Sequence, residues 1–518
     1  MAVNSRSGVS PVADVPVNYL SPRVPRTCTV LRTAAVLATV VAVVAAGVLV
    51  THRVVTACGD LRSGLSRVDG ECVGVLTDAA AWTFSADLRS VQQAIDREND
   101  WVHEQWRADP DEHRYVRVAL LSPMTATTES FMTAAQVRHA VQGAYLAQRR
   151  ANHSPDLDDR SPLIQLVLAN PGSRQAQWLP VVRKLEAMAD DETPLVAVVG
   201  MGTSIVATRD AARHLSDSDS DLPMVAGIAT TDEFRDIKGF VRASPSDTDY
   251  VRALSRYLDE HPDLRAGMLV YDDSEPDLYV QDLRRAYETQ LDGYLTVDAK
   301  SFFGAADTRN RTQLFATIRD SVCITPRPNL ILYAGRALDL DDFVRSLAGR
   351  RCRDPISIMV GATGLADLAG LAPTLTEARI TIVNSASVHP SWFTSVGQPP
   401  GPVPDGLPPF LTAFRSEQFG EPGALTDGYL LTHHDAMATA VKAIRLVARQ
   451  IPPDEVPRAG NVRGQLLNLN NGSEVPGAGG TLSFTADRLA DPVGKWVPII
   501  EIPATTTPTT RPYVTGED

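Results

Sequence analysis

Between residues 115 and 364 the chain repeats one pattern: a short, nearly continuous apolar run, a polar or glycine-rich corner, then apolar residues at helical spacing. The runs are "YVRVALLSP" (115–123), "LIQLVLANPG" (163–172), "LVAVVGMG" (195–202), "PMVAGIATT" (223–231), "AGMLVYDD" (266–273), "NLILYAGR" (329–336) and "ISIMVGATG" (356–364). The helical stretches between them include 134–151, with Val137, Val141, Ala144 and Gln148 on one face, and 178–188, with Trp178, Val182, Leu185 and Met188. Unbroken Val, Leu and Ile predicts strands buried on both faces, and regular alternation with helices predicts parallel sheets covered by helices. Seven such runs exceed one comfortable sheet, so the pattern predicts an α/β fold of two doubly wound parallel-sheet lobes.

Three further segments frame this body. Residues 1–32 form a polar tail with Arg6, Arg23, Arg26 and Arg32 against one acid, Asp14; the eighteen uncharged residues Thr33–Val50 then predict one N-terminal transmembrane helix acting as a signal anchor. That places 1–32 in the cytoplasm, residues 33–50 in the membrane and the bulk of the chain outside the cell. Leu88, Val91, Ile95, Val102 and Trp106 predict a helix within 85–106, read as a spacer or a packing arm, and 51–114 is expected to be an extracellular disulfide loop and spacer helix. Residues 504–518, rich in Thr and Pro, are expected to be disordered.

Cysteine placement agrees with an exterior location. Cys58 and Cys72 bracket a short loop, Cys323 and Cys352 bracket a strand-helix unit, and each pair is expected to form a disulfide, leaving Cys28 on the cytoplasmic side. "VTAC" (55–58) also fits a lipidation box at Cys58. Thr51, His52 and Arg53 separate that box from the apolar run, and lipidation would deprive Cys72 of its nearest partner, so the anchor is the favoured reading.

A formal charge of −13 argues against nucleic acid as a partner. No Gly-x-Ser-x-Gly elbow, His-Glu-x-x-His motif or zinc-spaced cysteine pair is present, so no enzyme, cofactor or metal site is expected. His433, His434 and Asp435 are adjacent on a helical stretch, where neighbouring side chains diverge by about 100° and do not readily share an ion. Polar residues instead gather at the carboxyl ends of the apolar runs, where open α/β sheets bind ligands. In "VVGMGTSIVATRD" a strand delivers Thr203 and Ser204 to a helix start, whose free N–H groups suit a carboxylate or phosphate; capping of that helix by either hydroxyl is the competing role. Thr230 and Thr231 end the next strand and either join that ligand or cap the helix at Asp232.

The order of "YVRVALLSPMT", "HAVQGAYLAQRRAN", "LVAVVGMGTS", "PMVAGIATTDEF", "FVRASPSDTDYVRAL", "AGMLVYDDSEPDLYVQDLRRAYE" and "GGTLSFTADRLADP" resembles the type I periplasmic binding proteins of branched-chain amino acid transport, and the related ligand-binding regions of receptors. The resemblance covers 115 to about 503, and Arg242, Pro245 and Ser246 match its passage between lobes. It implies a three-segment hinge, lobe one at 115–241 and 388–490, and lobe two at 242–387 and 491–503. It further implies a carboxylate site at Ser204, Thr230 and the backbone around Ile228, with Thr203 beside it as a ligand candidate from the helix-start reading, and an aromatic wall at Tyr279. Thr363 stands where the family has an acid for the ligand ammonium, and Arg336 where it has an aromatic residue. These departures favour a carboxylate-bearing or neutral polar ligand.

The expectation from the sequence is therefore a single-pass, membrane-tethered solute-binding protein serving an ABC permease or a signalling partner. A ligand-free interaction scaffold on the same lobes is the alternative.

Overall fold

The computed structural model describes residues 34–41, 58–59, 63–158, 160–274, 277–304, 311–361, 366–393, 401–420, 422–504 and 511–517. Residues 1–56 separate as one unit from 57–518. Within the first unit, residues 34–41 are helical and exposed, while Thr33 and residues 42–50 of the expected span lie outside the described residues. Among the described residues no helix is long and apolar enough to cross a membrane.

The first sheet of the second unit contains β1 (Leu65–Val68), β2 (Glu71–Leu76), β3 (Tyr115–Leu121), β4 (Leu163–Asn170), β5 (Leu195–Gly200), β6 (Met224–Ala226) and β7 (Phe240–Arg242), in the order β1-β2-β4-β3-β5-β6-β7. From β4 to β7 every pairing is parallel. The runs predicted as buried strands are buried: all six residues of β5 are covered, as a central parallel strand with helices on both faces requires. Helices Ala134–His153 and Tyr429–Ala448 lie on one face, their apolar residues sharing a core with Val118, Leu120 and Val199. Trp178–Ala187 and Val206–Asp217 cover the other face, around Val198 and Leu185.

The second sheet carries β8 (Gly267–Asp272), β9 (Leu295–Phe302), β10 (Leu330–Ala334), β11 (Ile356–Gly361) and β12 (Ile380–Ser385). Further along come β13 (Val475–Gly477), β14 (Gly480–Ser483), β15 (Val493–Val497), β16 (Ile499–Ile502) and β17 (Tyr513–Val514). β16 joins the second sheet antiparallel to β12, giving β16-β12-β11-β10-β8-β9, and the remaining late strands form a small sheet, β13-β14-β15-β17. The chain passes between lobes at residues 243–246, again after β12, and finally along β15 into β16.

Two expectations are corrected. Of the two readings of the helix at 85–106, the packing arm holds rather than the spacer: β2 pairs antiparallel with β4, and Arg89–Ala108 buries Val91, Ile95 and Val102 in lobe one. The sheets are consequently mixed rather than purely parallel. Nor is 504–518 wholly a loose tail: β17 pairs with β15, Tyr513 is buried in the second lobe's core, and the Thr515 hydroxyl donates to the Pro492 carbonyl. Both expected disulfides are present. Cys58–Cys72 fixes the chain to β2, and Cys323–Cys352 closes a 29-residue separation in lobe two.

Candidate interlobe site

The corner after β5 is shaped by its glycines. Gly200, Met201 and Gly202 all take positive φ, at 87°, 59° and 81°. A Cβ on Gly200 would stand 2.6 Å from Leu120 Cδ1, and one on Gly202 would strike the Gln175 amide. This corner turns the backbone so that Thr203 and Ser204 face the ends of the neighbouring strands. The following helix, Val206–Asp217, starts at Ile205 without a side-chain cap, so neither hydroxyl serves as its cap. Ser204 Oγ instead accepts from the backbone N–H of Thr230 at 2.8 Å and of Thr231 at 3.3 Å. Thr203 N–H donates to Gln175 Oε1, while its buried hydroxyl has no hydrogen-bond partner among the described residues. Thr231 does take the capping role, accepting from Glu233 N–H. Ile228 is buried in the lobe-one core beside them.

From lobe two, Arg336 and Tyr279 arrive at the same place. Arg336 Nε and Nη2 donate to the two carboxylate oxygens of Asp277 at 2.7 and 2.8 Å, and Nη2 also reaches the Ser204 carbonyl of lobe one at 3.3 Å. The guanidinium lies 4.9 Å from the ring centroids of both Tyr279, on its own lobe, and Phe131, on the other. Burial works against the Arg336 charge, but the Asp277 carboxylate outweighs it and holds the pKa above its usual value. The Tyr279 hydroxyl donates to the Gly361 carbonyl, fixing the ring. Thr363 lies outside the described residues.

Two carboxylates at this site escaped the sequence reading. Asp277 caps helix Leu278–Gln290, accepting from Tyr279 and Val280 N–H, and is at the same time the partner of Arg336. Asp247, the first residue of helix Asp247–Glu260, is fully buried, and among the described residues neither of its oxygens completes a well-formed hydrogen bond, the Thr230 hydroxyl being its nearest donor. Its N–H donates to the Thr230 carbonyl. Burial, then the Asp282 charge, push its pKa well above the carboxylate range; the Thr230 hydroxyl and Arg242 offset this only in part. Asp247 in turn adds to the burial that raises the Tyr279 hydroxyl well above its ordinary value. A buried, unpaired carboxylate is costly in a fold and calls for a positive partner.

The lobes also meet where Asp232 N–H donates to Asp282 Oδ2 at 2.8 Å. Beside this bond a cavity of about 560 Å³ opens, lined by Arg213, Asp232, Glu233 and Lys238 of lobe one and Arg285 of lobe two. His433, His434 and Asp435 lie elsewhere, buried under the lobe. Asp435 accepts from Lys495 Nζ at 2.8 Å and from Ala478 and Gly479 N–H, tying the hinge strand to helix Tyr429–Ala448. Among the described residues no cluster of His, Cys, Asp or Glu could hold a metal ion.

The structure brings together Ser204, Thr203, Thr230, Tyr279 and Arg336, from both lobes, at the carboxyl ends of the strands. Comparison with solved structures gives this architecture a class. A leucine-binding protein, LivK, of Thermotoga maritima superposes with a TM-score of 0.53 at 18% identity, covering 74% of this chain and 94% of its own. The branched-chain amino acid binding protein LivJ of Streptococcus pneumoniae, solved with isoleucine, gives 0.51 at 16% identity, covering 75% and 96%. A solute-binding protein of an R. palustris ABC transporter, solved with 4-hydroxybenzoate, gives 0.52 at 14% identity, covering 74% and 92%. No family model matches the chain, and no curated protein matches it. The chain has the fold of the type I periplasmic binding proteins, as its motif order implied.

Proposed function

We propose that this protein is an extracytoplasmic solute-binding protein that captures a small polar solute between its lobes. The observation that carries the reading is Asp247: a fully buried carboxylate whose oxygens complete no well-formed hydrogen bond among the described residues, and whose N–H is held by the Thr230 carbonyl of lobe one. It replaces the counter-charge that the sequence suggested was missing at Thr363. A solute carrying an ammonium group supplies what Asp247 lacks, and a carboxylate on the same solute meets the Ser204 and Thr230 hydroxyls. Two of the similar structures were solved with isoleucine and with 4-hydroxybenzoate, which supports capture of a small solute by this fold. The bound protein delivers its solute to an ABC permease or reports it to a signalling partner, held at the cell membrane through residues 33–50. No step of this reading requires catalysis.

One observation favours the scaffold alternative: Arg336 and the Asp232–Asp282 bond already join the lobes through groups of the chain itself. A thermal-shift screen of the full chain in detergent, against amino acids, organic acids, sugars and nucleosides, separates the two. A solute at a hundredfold excess over Kd raises stability by about 2.7 kcal/mol. A hit abolished by Asp247→Asn supports solute capture; no shift across the panel supports the scaffold.

A further inference from the structure

Arg336 spans the cleft in a way that bears on which solutes enter it. Its guanidinium is oriented from below by the two-point pair with Asp277, stacked between Tyr279 and Phe131, and directed by Nη2 at the Ser204 carbonyl of the opposite lobe. Nη1 has no protein partner among the described residues. A solute held at Asp247 and Ser204 therefore extends towards a fixed, donor-rich group. An alkyl tail would separate Arg336 from Ser204 without replacing that acceptor, leaving charged N–H groups unpaired in a closed site. A site built to hydrogen-bond its ligand discriminates strongly against an analogue that lacks the bonding atom.

We propose that Arg336 is the specificity-determining residue of the cleft, selecting amine-bearing solutes whose far end carries a hydrogen-bond acceptor and rejecting those that end in an alkyl group. This rests on the solute-binding reading above. Asp277 is the positioning residue: it fixes the guanidinium plane and keeps the charge compensated when the cleft is empty. The selection differs from that of a cleft walled by aromatic and aliphatic groups.

The test compares L-asparagine with L-leucine, which are nearly equal in shape but differ in the polarity of the terminus. Calorimetric titration of the full chain should give a Kd for L-asparagine lower on the order of 100-fold than for L-leucine. Arg336→Met, similar in length but without donors, should bring the two within about threefold by weakening L-asparagine and strengthening L-leucine. Because that variant strands Asp277, the double variant Asp277→Asn/Arg336→Met is titrated alongside; Asn retains the cap on helix Leu278–Gln290. Equal affinities in the wild type, or a preference that survives both variants, would overturn the selection. So would binding of another panel solute, lost in Asp247→Asn, with neither probe bound; that outcome leaves solute capture standing. No binding by any solute overturns both.

Discussion

Replacing Asp247 by Asn should stabilise the unliganded protein while abolishing solute binding. The carboxylate is fully buried and among the described residues neither oxygen completes a well-formed hydrogen bond, a situation that costs about 1–3 kcal/mol for a polar group and more for a charged one. Opposing this, Asp247 stands in the first turn of helix Asp247–Glu260, where a negative charge is worth about 0.3–1 kcal/mol. The amide keeps the size and one unsatisfied acceptor, so the net gain expected once the carboxylate is charged is at least about 1 kcal/mol. The pH dependence is more diagnostic than the gain. The folded pKa of Asp247 is raised, chiefly by burial, so between the unfolded value near pH 4 and the folded value the native state holds a proton that the unfolded chain has released. Its stabilising contribution is complete below that window and is lost as pH rises, at up to about 1.4 kcal/mol per pH unit. Urea unfolding of wild type and Asp247→Asn at a series of pH values should therefore give a difference that is small near pH 4 and grows in favour of the variant above it. A variant destabilised at every pH, or a difference that ignores pH, would refute the assignment of Asp247 as a strained, ligand-seeking carboxylate.

Three other outcomes follow from the packing. Lys495→Met leaves the buried Asp435 carboxylate without its cation and should cost about 3–5 kcal/mol in urea unfolding, and a cost below 1 kcal/mol would show that the hinge strand is not tied through this pair. Ser204→Ala strands the N–H groups of Thr230 and Thr231 and should destabilise by about 1–3 kcal/mol even without solute; full retention of stability would mean that Ser204 Oγ does not organise the corner. Cys323→Ala/Cys352→Ala removes a cross-link spanning 29 residues and should lower stability by about 3–4 kcal/mol, read as a fall in the urea midpoint, whereas an unchanged midpoint would place the constraint elsewhere.

The buried strands were legible because a parallel strand covered on both faces must be apolar along its whole length, as in Leu195–Gly200. β1 and β2 were not: "LSRV" is short and partly exposed, "ECVGVL" is short and interrupted by a glycine, and a disulfide loop explained the same residues equally well. Tyr513 was hidden in a Thr- and Pro-rich stretch, since burial of a single aromatic side chain leaves no periodicity. Ser204, Thr230 and Arg336 could be found because motif order places them just beyond strand ends, and Tyr279, in the first turn of helix Leu278–Gln290, because it matches an aromatic position of the motif. Asp247 and Asp277 stand at helix starts, where an acid has a sufficient local reason to be present. Only three-dimensional packing distinguishes Asp277, which caps its helix and pairs with Arg336, from Asp247, whose oxygens complete no well-formed hydrogen bond among the described residues. The signal available in advance was the second acid in "SPSDTD": Asp249 completes the capping box with Ser246, so Asp247 is not needed for it.

The central claim is that the cleft holds its solute at Asp247. It is tested most directly by calorimetric titration of a panel hit into the full chain in two buffers of different ionisation enthalpy. A buried carboxylate whose pKa is raised when the cleft is empty and lowered by an ammonium when it is filled must release protons on binding at pH values between the two. The account predicts release of up to one proton per solute bound by the wild type and no binding by Asp247→Asn. Binding without proton release, and with equal affinity in the variant, would contradict it.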